Sequence, residues 1–295
     1  MQPSTETQTL LEALGLLYLE TILDRRGTLA IKVARDGKHA ILKLQSEDGS
    51  EEASHKARLL EQEASVLSQI PRLTGRLYLD HGKLDGRNWL LIRSIDGSEM
   101  HQAAKQIRAN LTGADARITS LTRLLRKVSG FYDALYAGGY LHGDVQPAHT
   151  YLEGDEVVVI DWGLSRKIHV PNPLYKGGFL YYVAPEIAER MRPRDSSISY
   201  TPYAEVYALG ATLFLFYTGC LALDFGIPKT ELQGIPMDEK LQRVVENRIF
   251  SFAEIGADPH PALEVLLRKS LSTTPEERFE TPCQLHQNLL ELSKS

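Results

Sequence analysis

Three ionisable side chains stand inside or at the edge of apolar segments, although lysine and carboxylate side chains are usually solvated. Lys43 lies in the apolar-rich segment Lys38–Leu44, and Asp161 directly follows the apolar run Val157–Ile160. Glu63 borders an apolar stripe at helical spacing, made of Leu60, Ala64 and Leu67. A carboxylate at the end of an apolar strand can hold a cation, and a lysine can hold an anion such as a phosphate. The placement of the three residues favours a functional site over solvated surface charges.

The elements that must position these residues begin with two predicted β-hairpins. One Asp-Gly pair joins the predicted strands Thr28–Ala34 and Lys38–Leu44, and another joins Arg76–Leu79 to Trp89–Ile92. Between the hairpins, the segment Ser50–Ile70 has a helical apolar face and ends before a proline. The polar residues 1–8 are expected to be loose at the terminus.

The second part of the sequence is mostly helical. An amphipathic stripe runs from Leu121 to Leu135, a third hairpin joins Thr150–Leu152 to Val157–Ile160, and Val206–Tyr217 is apolar on nearly all sides. We therefore predict an α+β fold of two lobes with a hinge near Ser94–Gly97. The predicted boundaries are an N-terminal extension at residues 1–16, a small β-rich lobe at 17–96 and a larger helical lobe at 97–295.

Composition and charge narrow the classes of function. The 295 residues include 33 basic and 38 acidic side chains, for a net charge of -5, which does not favour nucleic acid or an anionic membrane as partner. No apolar run is long enough to span a membrane, and the start of the chain lacks the pattern of an export signal. With Cys220 and Cys283 as the only cysteines, we expect a reduced, cytoplasmic chain.

Seven short motifs occur in an order that resembles the protein kinase superfamily, in particular bacterial serine/threonine kinases. The resemblance covers roughly residues 17–292, and it implies a bilobal protein-kinase-like fold. In chain order the motifs are His39–Lys43, Leu60–Ala64, the loop His142–His149, Asp161-Trp162-Gly163, Ala184-Pro185-Glu186, Glu205–Gly210 and Arg278.

The resemblance implies an ATP-dependent phosphotransferase that uses Mg²⁺ or Mn²⁺. Lys43 would hold the α- and β-phosphates, and Glu63 would orient Lys43. Asp144 would accept or orient the proton of the acceptor hydroxyl, and Asp161 would bind the metal ion. His149 stands where the family has a second metal ligand, so we expect it to ligate an ion or to hydrogen-bond the loop. A nucleotide and a protein or peptide are the expected partners.

Two further expectations follow from the resemblance. Adenine would bond the backbone of Arg93 and Ile95, next to Ile92 as the gatekeeper, because the strand Leu90–Ile92 followed by Asp96-Gly97 resembles the hinge. Glu186 and Arg278 would form a buried bidentate pair.

The sequence departs from the family at several positions. The phosphate-cradling glycine loop is nearly absent, with Gly27 the nearest glycine. Gln146 replaces the usual lysine, His149 the usual asparagine, and Phe179 the usual threonine before Ala184. Gly143 replaces the arginine that commonly receives an activation-loop phosphate.

Three functional hypotheses therefore remain open. The first is a phosphotransferase acting on a Ser/Thr hydroxyl of a protein or peptide, favoured by the presence of Lys43, Glu63, Asp144 and Asp161. The second is a pseudokinase that binds nucleotide or acts as a scaffold, favoured by the departures. The third is a small-molecule kinase, because His142-Gly143-Asp144 also resembles the catalytic loop of aminoglycoside and choline kinases. The helical motifs, including Arg278, favour the protein-kinase type over the third.

Overall fold

The chain divides into two compact units, which are described separately. The first comprises Met1–Asp96 and Ile160–Ser165, and the second comprises Gly97–Val159 and Arg166–Ser295. The structure, a computed structural model, describes residues 3–25, 28–45, 51–170, 175, 179–192 and 198–292. The predicted Gly27 lies outside the described residues.

The first unit is built on a five-stranded antiparallel sheet with the strand order β1-β2-β3-β5-β4. Its elements, in chain order, are α1 (Thr5–Ala13), β1 (Leu17–Arg25), β2 (Thr28–Arg35), β3 (Lys38–Gln45), α2 (Glu51–Gln69), β4 (Tyr78–Leu84) and β5 (Arg87–Arg93). The short segment Ile160–Ser165 contains a 3₁₀ turn at Trp162–Leu164. Both predicted hairpins are present, with Asp36 and Asp85 at positive φ in their turns.

Two expectations about the first unit are wrong. The strand predicted at Arg76–Leu79 begins at Tyr78 and continues to Leu84, because Gly75 and Arg76 both take positive φ in the preceding turn. The N-terminal residues from Thr5 onward are helical, since the Ser4 side chain accepts a hydrogen bond from the amide of Thr7.

The core of the first unit explains why α1 forms. Leu10 and Leu11 of α1 pack with the alternating inward residues of the sheet, which include Ile31, Val33, Leu42, Leu44, Trp89 and Leu91. Burial of this apolar face stabilises a helix that is too short to be stable alone in water.

The second unit is mostly helical. Its elements, in chain order, are β6 (Ser98–Glu99), α3 (Met100–Asn110), α4 (Ala114–Ala137), β7 (Tyr140–Leu141), β8 (Thr150–Glu153), β9 (Glu156–Val159), β10 (Arg166–Lys167), α5 (Pro185–Met191), α6 (Pro202–Thr218), α7 (Lys229–Leu232), α8 (Met237–Glu246), α9 (Pro261–Ser270) and α10 (Pro282–Glu291). Strands β6, β8 and β9 form one small antiparallel sheet, and β7 pairs with β10. A sheet-based first unit and a helical second unit confirm the predicted α+β class, and they are consistent with a bilobal kinase-like fold.

Helix α6 forms the centre of the second unit. It is buried along nearly all of its length and ends at Gly219, where φ is 80°. A Cβ atom on Gly210 would lie 2.7 Å from the Cβ of Ser270, so the glycine allows α6 and α9 to pack closely. The apolar run Val206–Tyr217 therefore predicts the buried helix correctly, although the helix extends a few residues further at its N-terminal end.

Candidate functional site

A buried ion pair joins β3 and α2 in the first unit. The ammonium Nζ of Lys43 donates to both carboxylate oxygens of Glu63, at 2.7 and 2.8 Å. Glu63 is only 3% exposed. Lys43 is held in the middle of the sheet, because β3 pairs with β2 at Ala30 and with β5 at Leu90. The two residues that the sequence analysis placed in one site are therefore in direct contact.

A second carboxylate lies beside the same ammonium. The Oδ1 atom of Asp161 is 4.0 Å from Lys43 Nζ, and the Asp161 side chain is 51% exposed. Asp161 takes a left-handed backbone conformation with φ 66°, which is uncommon outside glycine. One ammonium next to two carboxylates leaves an excess of negative charge, which is the setting that a divalent cation prefers.

Helix α2 also holds the segment that carries Asp161. The amide nitrogen of Gln62 donates to the carbonyl of Ser165 at 2.9 Å. A Cβ atom on Gly163 would lie 3.1 Å from the carbonyl oxygen of Leu59, so a glycine permits this close approach. Thus α2 positions both Glu63 and the turn after Asp161.

The pKa directions agree with a charged Lys43. Burial by itself lowers the pKa of Lys43, but the carboxylates of Glu63 and Asp161 outweigh it and raise that pKa above 10.5. Burial raises the pKa of Glu63, opposed by the ammonium of Lys43. A buried ion pair is weak evidence for stability, because desolvation offsets most of the Coulomb attraction. A role in function is the better explanation for keeping it.

The predicted hinge residues lie at and after the end of β5. Ile92 is buried and pairs with Ile41 of β3. The backbone amide of Arg93 donates to the carbonyl of Leu77 at 2.8 Å, so a nucleotide bond at Arg93 would use its carbonyl oxygen. Ile95 is half-buried two residues further on.

The loop that carries Asp144 lies in the second unit and is bonded to a buried carboxylate of α6. Glu205 accepts hydrogen bonds from the amides of His142 and Gly143, at 2.7 and 3.1 Å, and from the hydroxyl of Tyr200 at 2.8 Å. Burial raises the pKa of Glu205, while these three donors oppose that shift. The carboxylate of Glu205 therefore binds the backbone of the His142–His149 loop directly. His142 is fully buried, and its Nδ1 accepts a hydrogen bond from the amide of Asp144 at 3.2 Å, so the ring braces the loop backbone.

Gln146 and His149 both contact Asp144. The side-chain amide of Gln146 donates to Asp144 Oδ1 at 3.0 Å. His149 Nδ1 lies 3.0 Å from the Asp144 carbonyl and 3.6 Å from Asp144 Oδ2. A carbonyl oxygen only accepts, so Nδ1 is the donor, and in the neutral ring Nε2 carries the lone pair. Metal-binding histidines commonly show this arrangement, in which one ring nitrogen donates to a carbonyl and the other ligates.

Glu186 and Arg278 form the expected bidentate pair, at 2.9 and 2.7 Å. The expectation of burial is met on one side only. The Arg278 side chain is fully buried, whereas the Glu186 side chain is 27% exposed. Glu186 lies in the first turn of helix α5, directly after Pro185, which begins the helix.

The structure also shows a contact that the sequence analysis missed. Tyr175, which follows Asp161 along the chain, is buried and donates its hydroxyl to the carbonyl of Gly143 at 2.8 Å. Tyr175 lies in a segment rich in proline and glycine, between Leu174 and Lys176, and no helical or strand period marks it. By contrast, Phe179 is 51% exposed and packs against Tyr181 and Tyr182.

Comparison with curated proteins finds serine/threonine kinases of mycobacteria. The chain is 28% identical over 272 residues to serine/threonine-protein kinase PknD of Mycobacterium tuberculosis, which is 90% of this chain and 38% of the relative. It is 23% identical over 244 residues to PknE of Mycobacterium bovis, covering 81% of this chain and 39% of the relative. A shorter match to PknH of Mycobacterium bovis covers 48% of this chain at 26% identity.

No family model matches the sequence. The curated relatives nevertheless support a divergent relationship between this chain and the protein kinase superfamily. At the level of the family they support a phosphotransferase of protein-kinase type. The chain spans less than two-fifths of the length of PknD and PknE.

The described residues contain no helix that is both long enough and apolar enough to cross a membrane.

Proposed function

We propose that the chain is a phosphotransferase that moves the γ-phosphoryl group of ATP, with a divalent metal, to a Ser or Thr hydroxyl of a protein or peptide. The observation that carries this proposal is the buried Lys43–Glu63 pair with Asp161 at 4.0 Å from the same ammonium. A lysine held rigidly by one carboxylate and beside a second is suited to bind phosphate oxygens next to a metal ion.

Each residue has a separate role in this proposal. Lys43 binds the α- and β-phosphates, and Glu63 keeps its ammonium in place. Ile95 contributes its backbone amide and Arg93 its carbonyl oxygen to adenine, next to the side chain of Ile92. The acceptor oxygen forms a new bond to the γ-phosphorus while the bond to the β–γ bridging oxygen breaks and ADP leaves. The proton of the hydroxyl passes to the carboxylate of Asp144.

Asp161 and His149 are the residues that would hold Mg²⁺ or Mn²⁺. The metal supplies positive charge that neutralises the phosphate oxygens. A carboxylate suits either ion, whereas an imidazole nitrogen favours Mn²⁺ over Mg²⁺. The donor bond of His149 Nδ1 to the Asp144 carbonyl supports the view that Nε2 is the ligating atom.

The metal preference is testable by substitution. We expect stronger nucleotide binding or faster turnover with Mn²⁺ than with Mg²⁺, and we expect His149→Asn to reduce that preference. Titrating both metals against parent and variant, with turnover and nucleotide affinity as readouts, decides the point. An equal response to the two metals in both proteins would remove His149 from the metal site.

The main test separates binding from transfer. Thermal shifts with ATP and each metal should show stabilisation of the parent, of ~2.7 kcal/mol when the ligand is at about 100 times its Kd. Lys43→Met should abolish the shift, and Asp144→Asn should keep the shift but abolish transfer of a radiolabelled γ-phosphate. Lys32→Met is the matched control, because Lys32 lies on the neighbouring strand β2 and its ammonium makes a partly exposed ion pair with Glu20 at 3.5 Å. A Lys43→Met variant that still responds like the parent would contradict the proposal.

A pseudokinase is the second candidate. It is favoured by the missing glycine loop and by the replacements at Gln146, His149 and Phe179. Stabilisation by nucleotide without transfer would support a nucleotide-binding module, and no response to any nucleotide or metal would support a scaffold.

The small-molecule alternative is tested by replacing the peptide acceptor with an aminoglycoside or choline. The division into lobes at residues 17–96 and 97–295 and the cytoplasmic location remain predictions of the sequence.

A further inference from the structure

The turn His142–Asp144 has an unusual requirement for support. Gly143 lies at φ 81°, a left-handed conformation that residues with a Cβ atom rarely adopt. Glycine also restricts the backbone least, so the turn depends on contacts from other elements to stay in place. Its two amides are held by Glu205, as described above.

The carbonyl side of the same turn is held by Tyr175. The Tyr175 hydroxyl donates to the Gly143 carbonyl at 2.8 Å, and the residue is 3% exposed. The Tyr175 backbone is fixed as well, because its amide donates to the carbonyl of Ile198 at 3.0 Å. Burial raises the pKa of Tyr175 well above 10, so the hydroxyl remains a donor at neutral pH.

Tyr175 belongs to a group of four neighbouring side chains, Arg166, Tyr175, Tyr200 and Glu205, which we call the clasp. The rings of Tyr175 and Tyr200 lie 4.8 Å apart between centroids. The guanidinium of Arg166 lies 5.0 and 5.4 Å from these two centroids, within cation–π distance. The hydroxyl of Tyr200 donates to the carboxylate of Glu205 at 2.8 Å, and the same carboxylate accepts the hydrogen bond from the amide of Gly143.

We propose that the clasp holds the Gly143–Asp144 turn in its working position without any phosphate on the chain, and that Tyr175 is the positioning residue. This inference rests on the proposed function for its consequence on transfer. Arg166 is 7% exposed and lies over both rings. An added phosphate could reach the guanidinium only after the rings move apart. In kinases that have an arginine at the position of Gly143, an ion pair between that arginine and a phosphate commonly holds this turn. Here the hydrogen bond from the Tyr175 hydroxyl to the Gly143 carbonyl holds it instead.

The test removes one hydroxyl at a time from the full chain. Tyr175→Phe keeps the ring but loses the bond to Gly143. Tyr207→Phe is the matched control, because Tyr207 is 1% exposed and its hydroxyl donates to Asn247 at 2.7 Å, away from the turn. Both variants lose one buried hydrogen bond, so their global stabilities should fall by similar amounts.

Hydrogen exchange and kinetics distinguish the two variants. In Tyr175→Phe, exchange at the amides of residues 142–144 should become roughly five- to tenfold faster, whereas Tyr207→Phe should leave it as in the parent. After phosphatase treatment, with removal of phosphate checked by mass spectrometry, the parent should keep its transfer rate. In the same assay Tyr175→Phe should lower kcat by about tenfold and leave KM for the nucleotide unchanged.

Each result has a defined meaning. Unchanged exchange at residues 142–144 in Tyr175→Phe would overturn the clasp, and so would an equal change in Tyr207→Phe. Loss of transfer by the parent on phosphatase treatment would overturn its independence from phosphate. If the parent transfers no phosphate under any condition, the proposed function fails, while the exchange comparison still decides whether Tyr175 holds the turn. Tyr200→Phe should show the same faster exchange, which provides a second variant if Tyr175→Phe does not fold.

Discussion

Arg278→Ala should be among the most destabilising single changes in the second unit. The guanidinium donates to both oxygens of Glu186, at 2.9 and 2.7 Å. It also donates to the carbonyls of Ser272, Tyr203 and Thr273, at 2.7, 3.1 and 3.2 Å. The change thus removes two charge-assisted bonds and leaves three carbonyls without this donor.

The expected magnitude follows from burial on the two sides of the pair. Breaking a buried ion pair costs about 3–5 kcal/mol, because the remaining group is left without its partner. The Glu186 side chain is 27% exposed and can be hydrated after Arg278 is removed. We therefore expect that leaving its carboxylate without a partner lowers the free energy of unfolding by an amount in the lower half of that range. Loss of the packing of Arg278 over the Tyr207 ring, at 5.0 Å from its centroid, adds to it.

Urea unfolding of parent and variants measures these losses. Far-UV circular dichroism follows the helices, whereas the two tryptophans, Trp89 and Trp162, both report on the first unit. The free energy of unfolding should therefore be taken from the circular dichroism transition, and non-coincident transitions would show that the units unfold separately.

Arg117→Ala is the control, because the Arg117–Asp258 pair has the same bidentate geometry as the Arg278–Glu186 pair but both of its side chains are partly exposed. Arg117 and Asp258 also make two bonds, both at 2.6 Å, but their side chains are 22% and 19% exposed. The loss in this variant should be clearly smaller, because solvent screens the pair. If Arg278→Ala lost less than about 1 kcal/mol, or no more than Arg117→Ala, the reasoning from burial would be refuted.

Two further predictions concern acid stability and close packing. The hydrogen bonds from Arg117 hold the pKa of Asp258 below 3.8, so its stabilisation is complete above that pH and is lost as the pH falls through the lower folded value. The difference in unfolding free energy between the parent and Asp258→Asn should therefore be constant at neutral pH and shrink below about pH 3.8; a difference that grew on acidification would be the contrary result. Gly97→Ala should cost ~1–3 kcal/mol, because its Cβ atom would lie 2.4 Å from the carbonyl oxygen of Leu152. Gly113→Ala, with its nearest atom at 4.0 Å, should cost much less in the same urea titration, and equal losses would contradict the packing argument.

Local signals in the sequence predicted the elements around the candidate site well. The Asp-Gly pairs predicted the hairpins because an αL turn needs residues that tolerate positive φ, and Asp36 and Asp85 adopt it. The β4 boundary was wrong because Arg76, a residue that seldom takes positive φ, does so here. The N-terminal helix was missed because its stability comes from Leu10 and Leu11 packing on the sheet.

The sequence by itself determined that Lys43, Glu63 and Asp161 stand against apolar segments, and the order of the motifs, which resembles that of the protein kinase superfamily, implied that these three residues share one site. Only the tertiary structure decided what supports Asp144. Tyr175 is 32 residues from Gly143, and Glu205 is 62 residues from it. No sequence period relates positions so far apart. Their contact depends on how the loop, β10 and α6 pack, and that arrangement is a property of the folded chain as a whole.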